Sequence, residues 1–171
     1  EWMRHSRNGI DAEINVDGER FRLTLPVLGD FNLMNSLCAL GAGLALGFEL
    51  KMMLEACSSL SPIPGRLEKI SADAEPLVLV DYAHTPDALR KSLNNARDVS
   101  KGALVCVFGC GGDRDMGKRA EMGRVAGDFA DKIVITNDNP RGERPGSIAQ
   151  AIEEGVTQST LLDRCGEYCI E

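Results

Sequence analysis

Three uninterrupted apolar runs, Leu77 to Val80, Ala103 to Phe108 and Ile133 to Ile135, constrain the fold more than any other feature. Runs of this kind are expected for parallel strands covered on both faces. Segments of helical period lie between and after them, and their starts are well marked. Thr85-Pro86 offers an N-cap followed by proline at the first helical position, after which Leu89, Leu93 and Ala96 share a face. Met122, Val125, Ala126 and Phe129 do the same. Ser147, with Gln150 three residues on, reads as a capping box ahead of Ile148, Ile152 and Val156. Alternation of strand and helix predicts a doubly wound α/β domain. Three strands make a thin sheet, since about five or six are typical. The chain stops soon after Leu161-Leu162, so the sheet is expected to be truncated or to lack its remaining partners.

The first part of the chain has a different pattern. Ile10, Ala12, Ile14 and Val16 alternate with polar residues, Asp17-Gly18 follows, and Phe21, Leu23 and Leu25 alternate again. That predicts a hairpin with a two-residue turn needing positive φ. From Phe31 the period becomes helical through Leu33, Leu37, Leu40 and Leu44, and a second helix places Leu50, Met53, Leu54 and Cys57 on one face. Gly41, Gly43 and Gly47 weaken the first helix individually but would let it pack closely against a neighbour. Residues 58–65 hold three serines, two prolines and a glycine, so the chain leaves helix there. The domain boundary falls between Arg66 and Glu75, which gives domains of residues 1–70 and 71–171.

At 171 residues there is room for one ordinary domain, or for a smaller domain plus a piece of another. A net charge of −7 and a pI near 4.9 argue against a general nucleic-acid binder, which needs clustered Lys and Arg without an acidic excess. No apolar run approaches a membrane span, and Glu1-Trp2-Met3-Arg4 lacks the features of a signal peptide. The expectation is a cytoplasmic protein with small-molecule partners. None of Cys38, Cys57, Cys106, Cys110, Cys165 and Cys169 forms a Cys-x-x-Cys pair or sits beside a metal-spaced histidine, so zinc is not expected. Several lie in apolar patterns, whereas Cys110 sits in a glycine loop where partial exposure is expected.

In open α/β sheets ligands bind beyond the carboxyl ends of the strands. Five motifs can carry chemistry. Thr136 to Pro145 (Thr-Asn-Asp-Asn-Pro-Arg-Gly-Glu-Arg-Pro) follows the third run and is dense in hydrogen-bonding groups, although a solvated turn would favour the same residues. Gly109 to Arg119 follows the second run. Its segment Gly112 to Lys118 matches the first seven positions of a phosphate-binding P-loop, but Arg119 stands where a Ser or Thr must hold magnesium. The dinucleotide fingerprint fails at Arg114, its third glycine position, so a plain strand-to-helix turn is the alternative. Arg114, in a tight glycine loop, is well placed to grip a carboxylate. Asp81-Tyr82-Ala83-His84-Thr85-Pro86 brings an acid, a phenol and an imidazole to one strand end, or else Asp81 and Thr85 merely organise the helix start. In Gly29 to Asn35, Asn32 and Asn35 can face one ligand edge, with Asn32 as N-cap the alternative. Pro64-Gly65-Arg66-Leu67-Glu68 is a linker with an arginine.

Together and in this order, Gly-Asp-Phe-Asn-Leu-Met-Asn, Pro-Gly-Arg-Leu-Glu, Asp-Tyr-Ala-His-Thr-Pro-Asp-Ala-Leu, Phe-Gly-Cys-Gly-Gly-Asp-Arg-Asp and Asp-Asn-Pro-Arg resemble the Mur ligases. These are the ATP-dependent amide ligases of peptidoglycan precursor synthesis, and the resemblance runs nearly end to end. It implies a Rossmann-like, mostly parallel C-terminal domain preceded by the last hairpin and helices of a central ATPase domain. The branch most resembled adds 2,6-diaminopimelate to UDP-N-acetylmuramoyl-L-alanyl-D-glutamate. By resemblance, Asn32 and Asn35 reach the adenine side of ATP, Arg66 lies near its phosphates, and Asp81 near its ribose and phosphates, with Tyr82 and His84 lining the same cleft. Arg114, Asp138, Asn139 and Arg141 resemble the set that holds diaminopimelate. Its far end carries an ammonium and a carboxylate, where lysine carries only an ammonium. Two arginines can pair with the carboxylate, while Asp138 and the Asn139 carbonyl accept from the ammonium. Arg141 is the discriminating residue, since lysine-adding relatives replace it.

The implied reaction is phosphorylation of the glutamate carboxylate by ATP, followed by attack of the diaminopimelate amine on the acyl phosphate, with magnesium required. The sequence lacks the family's Gly-Thr-x-Gly-Lys-Thr loop, UDP-sugar domain, carbamoylated lysine segment and Gly-Lys-Gly-His-Glu stretch. Magnesium ligands are therefore expected mostly outside this chain, and the chain alone is expected not to catalyse ligation. A stand-alone amino-acid or nucleotide binding module, a ligase using another diamino acid, and a nucleotide oxidoreductase are the alternatives.

Overall fold

The computed structural model describes residues 2–73, 76–161 and 166–171. Glu1, Glu75, Leu162 and Cys165, all named above, lie outside the described residues. The chain forms two compact units, Glu1–Tyr82 and Ala83–Glu171.

In the first unit, β1 (Met3–Ser6), β2 (Gly9–Val16) and β3 (Glu19–Leu25) make an antiparallel sheet in that order. The β2–β3 hairpin is as expected. Asp17 and Gly18 take φ of 52° and 90°, and the Asn15 side chain accepts from the Gly18 N–H at 3.0 Å. β1 gave no apolar signal because it is four residues long and mostly exposed. Ile10, Leu23, Leu25, Val27 and Leu40 form the core, with Leu33, Leu37, Met53, Leu54 and Cys57 packed against it. Thus the expected faces of helix α1 (Asp30–Ala45) and helix α2 (Leu50–Ser58) are the ones used, except that Leu44, near the end of α1, is exposed.

Helix α1 starts after Gly29 at φ 91°, so Asn32 lies inside it and is not its N-cap. At the other end Gly47, at φ 84°, closes a Schellman motif. Its N–H bonds Leu44 O and the Phe48 N–H bonds Gly43 O. Of the three helix glycines only Gly43 serves close packing, since a Cβ there would overlap the Met53 sulfur of α2.

The run Leu77 to Val80 does not become a parallel strand. β5 (Leu79–Val80) pairs antiparallel with β4 (Glu68–Lys69) in a two-stranded ladder, and Val78 and Val80 are exposed. This ladder carries residues 68–80 into the first unit, so compactness divides the chain after Tyr82.

In the second unit, α3 (Pro86–Val99), α4 (Gly117–Phe129) and α5 (Pro145–Thr157) accompany a parallel sheet. Its strands are β6 (Val105–Phe108), β7 (Lys132–Ile135) and β8 (Glu167–Ile170), in that order. β8 was not foreseen, because Glu-Tyr-Cys-Ile is a short run with a charge at its head. Cys106, Ile133 and Ile135 are buried, but Val105 and Val107, which point the other way, are 50% and 62% exposed. Among the described residues one face of the sheet is therefore open, where cover on both faces was expected.

Thr85 caps α3 as anticipated, its hydroxyl accepting from the Ala88 N–H at 3.3 Å. The capping box at Ser147 does not form. Helix α5 begins at Pro145 with Arg144 as N-cap, and the Ser147 hydroxyl donates to Arg144 O at 2.7 Å. Proline at the first helical position had already fixed the start. Helices α4 and α5 pack through glycine, since a Cβ on Gly123 would overlap Ile152 O and one on Gly155 would overlap Ala120 O.

Candidate functional site

Beyond the carboxyl ends of β6 and β7, the segment 109–116 meets the segment 136–144 backbone to backbone. Glycine makes this possible. A Cβ on Gly109 would overlap Thr136 O, and one on Gly112 would overlap Pro140 O. The Gly112 N–H donates to Asn139 O at 2.9 Å, and the Gly142 N–H donates to the Asp113 carboxylate at 2.9 Å. Asp113 and Arg141 face each other in left-handed backbone, at φ 50° and 48°. Such conformations are costly for non-glycine residues and persist where surrounding bonds hold them.

Three of the amides in the segment that resembles a P-loop are already taken. Gly112 N–H goes to Asn139 O, Asp113 N–H to Glu143 at 2.6 Å, and Gly117 N–H to Asp115 at 2.9 Å. Cys110 is 4% exposed rather than partly open, with its sulfur 3.8 Å from that of Met122. Its side chain turns under the loop, and burial raises the thiol pKa.

Four side chains singled out from sequence stand on these loops. Arg114 is exposed and makes no hydrogen bond among the described residues. Asp138 and Asn139 are also exposed. The Asn139 side-chain oxygen accepts from the Arg141 N–H at 3.3 Å, and this uses one of its lone pairs. Arg141 Nη1 donates to Gly112 O at 2.6 Å, which orients the guanidinium and leaves its other N–H groups for a ligand.

Beneath them is a pair that sequence reasoning missed. Arg119, in the first turn of α4, is 1% exposed and bonds both carboxylate oxygens of Glu143, at 2.7 and 2.8 Å. The same guanidinium reaches Gly111 O at 3.4 Å. The Arg119 guanidinium, followed by the Asp113 N–H, holds the Glu143 carboxyl down at about 2, well below its ordinary 4.5. Both residues lie in motifs singled out above, Arg119 where the P-loop comparison required a hydroxyl and Glu143 within Thr136 to Pro145, but nothing in the sequence paired them.

In the first unit, Arg66, Asp81 and Tyr82 come together. The Asp81 carboxylate accepts from the Leu67 N–H at 2.9 Å, and the Tyr82 N–H donates to Gly65 O at 2.8 Å. The Arg66 guanidinium lies 5.8 Å from the centroid of the Tyr82 ring, which is itself largely exposed. Asn32 is buried, with its amide donating to Leu28 O at 2.7 Å and Arg66 O at 3.4 Å. Asn35 is exposed on the same helix. His84 falls in the second unit, where its carbonyl accepts from Lys118 Nζ at 2.8 Å. No group of three His, Cys, Asp or Glu side chains among the described residues could hold a metal ion. No described helix is long and apolar enough to cross a membrane.

Against known proteins, one 159-residue alignment is 46% identical to the UDP-N-acetylmuramoyl-L-alanyl-D-glutamate–2,6-diaminopimelate ligase of Synechococcus sp. (strain WH7803), covering 90% of this chain and 32% of that protein. The protein of the same name from Gloeobacter violaceus is 49% identical over 161 residues, 91% of this chain and 33% of its own. The chain thus spans about a third of the length of the curated relatives it matches. A solved structure of a 2,6-diaminopimelate ligase of that name superposes with a TM-score of 0.66 at 36% identity, over 99% of this chain and 34% of that one. The UDP-N-acetylmuramate-alanine ligase of Thermotoga maritima gives a TM-score of 0.76 at 25% identity, over 100% of this chain and 36% of that one. A family model described as Mur ligase, glutamate ligase domain, matches residues 65–167, more than half of the chain, and the chain therefore belongs to the Mur ligase family.

Proposed function

We propose that this chain is the part of a diaminopimelate-adding ligase that selects the incoming amino acid, in a cytoplasmic enzyme joining 2,6-diaminopimelate to UDP-N-acetylmuramoyl-L-alanyl-D-glutamate with ATP. The observation that carries the proposal is the pair of interlocked loops, which present Arg114, Asp138, Asn139 and Arg141 at the strand ends of an α/β sheet. The names of the relatives at 46% and 49% identity agree with it. Arg141, oriented by Gly112 O, and Arg114 pair with the far carboxylate. Asp138 and the second lone pair of the Asn139 oxygen accept from the ammonium beside it. Lysine has the ammonium alone and leaves both guanidinium groups unpaired.

ATP supplies the phosphoryl group that activates the glutamate carboxylate. Its proposed contacts in the first unit are Asn35, Arg66, Asp81 and Tyr82, with Asn32 acting from beneath by holding the Arg66 backbone. A guanidinium beside an open aromatic ring suits the phosphates and base of a nucleotide. Among the described residues no three His, Cys, Asp or Glu side chains cluster as metal ligands, and none of their actions is derived through magnesium.

Calorimetry on this chain tests the proposal. Binding of meso-diaminopimelate in preference to lysine is expected, and equal or stronger binding of lysine would overturn it. In the full-length ligase carrying this sequence, Arg141→Ala is expected to reduce discrimination between the two amino acids about tenfold or more. Unchanged discrimination would remove Arg141 from its assigned role.

A further inference from the structure

We infer that the Arg119–Glu143 ion pair is a positioning device for amino-acid selection, fixing the distance between the loop that carries Arg114 and the loop that carries Asp138, Asn139 and Arg141. The inference rests on the site proposed above. Arg119 comes from the first turn of α4 and Glu143 from the opposite loop, two residues after Arg141. Glu143 Oε1 receives both an Arg119 Nη2 bond at 2.7 Å and the Asp113 N–H at 2.6 Å, and Asp113 directly precedes Arg114. The Asp113 carboxylate returns the link by accepting from the Gly142 N–H, next to Arg141. The Asp113–Glu143 and Gly142–Asp113 bonds join one loop to the other, the Arg119–Glu143 bonds anchor them to the start of α4, and both side chains that would meet the carboxylate are chain neighbours of Asp113 and Gly142.

Packing alone does not call for such a pair. Apolar side chains of similar volume commonly fill a buried site as well as, or better than, an ion pair does. An ion pair instead specifies one arrangement, here two left-handed residues, Asp113 and Arg141, held opposite each other. Selection between a carboxylate-bearing side chain and lysine requires two guanidinium groups at a set spacing, and a displacement of about 1 Å from a remote substitution can cost about a hundredfold.

The experiment compares Glu143→Gln with Arg141→Ala in the full-length ligase carrying this sequence, measuring kcat and KM for diaminopimelate, lysine and ATP. Glu143→Gln is expected to raise the KM for diaminopimelate about tenfold and narrow the preference over lysine, with the KM for ATP unchanged. Arg119→Lys, which keeps the charge but loses the fork, is expected to shift the same parameters in the same direction. Unchanged diaminopimelate KM in a folded Glu143→Gln protein would overturn the inference, as would a loss confined to kcat with both KM values and the preference intact. Should Glu143→Gln not fold, Arg119→Lys decides by the same criteria. The underlying site reading fails separately, if Arg141→Ala leaves the preference unaltered. If Arg141→Ala abolishes the preference and Glu143→Gln does not touch it, only the positioning role fails.

Discussion

Gly112 shows how a single residue sets the geometry of the candidate site. Its missing side chain lets Pro140 O approach where a Cβ would stand, and its own N–H and C=O both bond the facing loop, to Asn139 O and Arg141 Nη1. Gly112→Ala must push backbone away from backbone, which is not relieved by rotating a side chain. Overpacking of this kind typically costs about 1–3 kcal/mol, and denaturant unfolding should show a loss of that size together with weakened diaminopimelate binding. Arg141 depends on the same contact. Its left-handed backbone is held by the Asn139 side chain at one end and by the Gly142 bond to Asp113 at the other.

At the scale of elements, strands β6 and β7 supply a rigid edge and the interlocked loops supply the chemistry. The tie between them depends on pH through Glu143. Its carboxyl sits at about 2 in the folded chain against an ordinary 4.5, so the folded state binds this proton less readily than the unfolded state does. The pair's contribution is therefore fully present above about pH 4.5 and is lost as pH falls toward 2. Urea unfolding at pH 5 and pH 3 is expected to show a larger fall in stability for the wild-type chain than for Glu143→Gln. Parallel falls would mean that Glu143 is not what acid attacks. Helices α4 and α5 meet through Gly123 and Gly155, and this contact fixes the helices that follow β6 and β7.

At the scale of the whole molecule, this chain covers about a third of its curated relatives, and the motifs that the family resemblance assigns to phosphoryl transfer are not in its sequence. The isolated chain is expected to bind diaminopimelate without turning over ATP and precursor. Product formation by the purified chain, followed by chromatography, would refute this. Much of the fold was legible because its signals are local. The Asp17-Gly18 hairpin, the Thr85 cap and the buried faces of α3, α4 and α5 depend only on period and turn chemistry. The position of Arg114, Asp138, Asn139 and Arg141 beyond the strand ends was legible too, because it follows from the order of runs and motifs along the chain itself. What tertiary structure alone decided was pairing. The run at Leu77 to Val80 took an antiparallel partner at Glu68–Lys69, one face of the β6–β8 sheet stayed open among the described residues, and Arg119 met Glu143 across 24 residues of sequence. No local pattern encodes these outcomes, because each depends on which distant groups share a hydrogen bond or a buried charge once the chain has closed on itself.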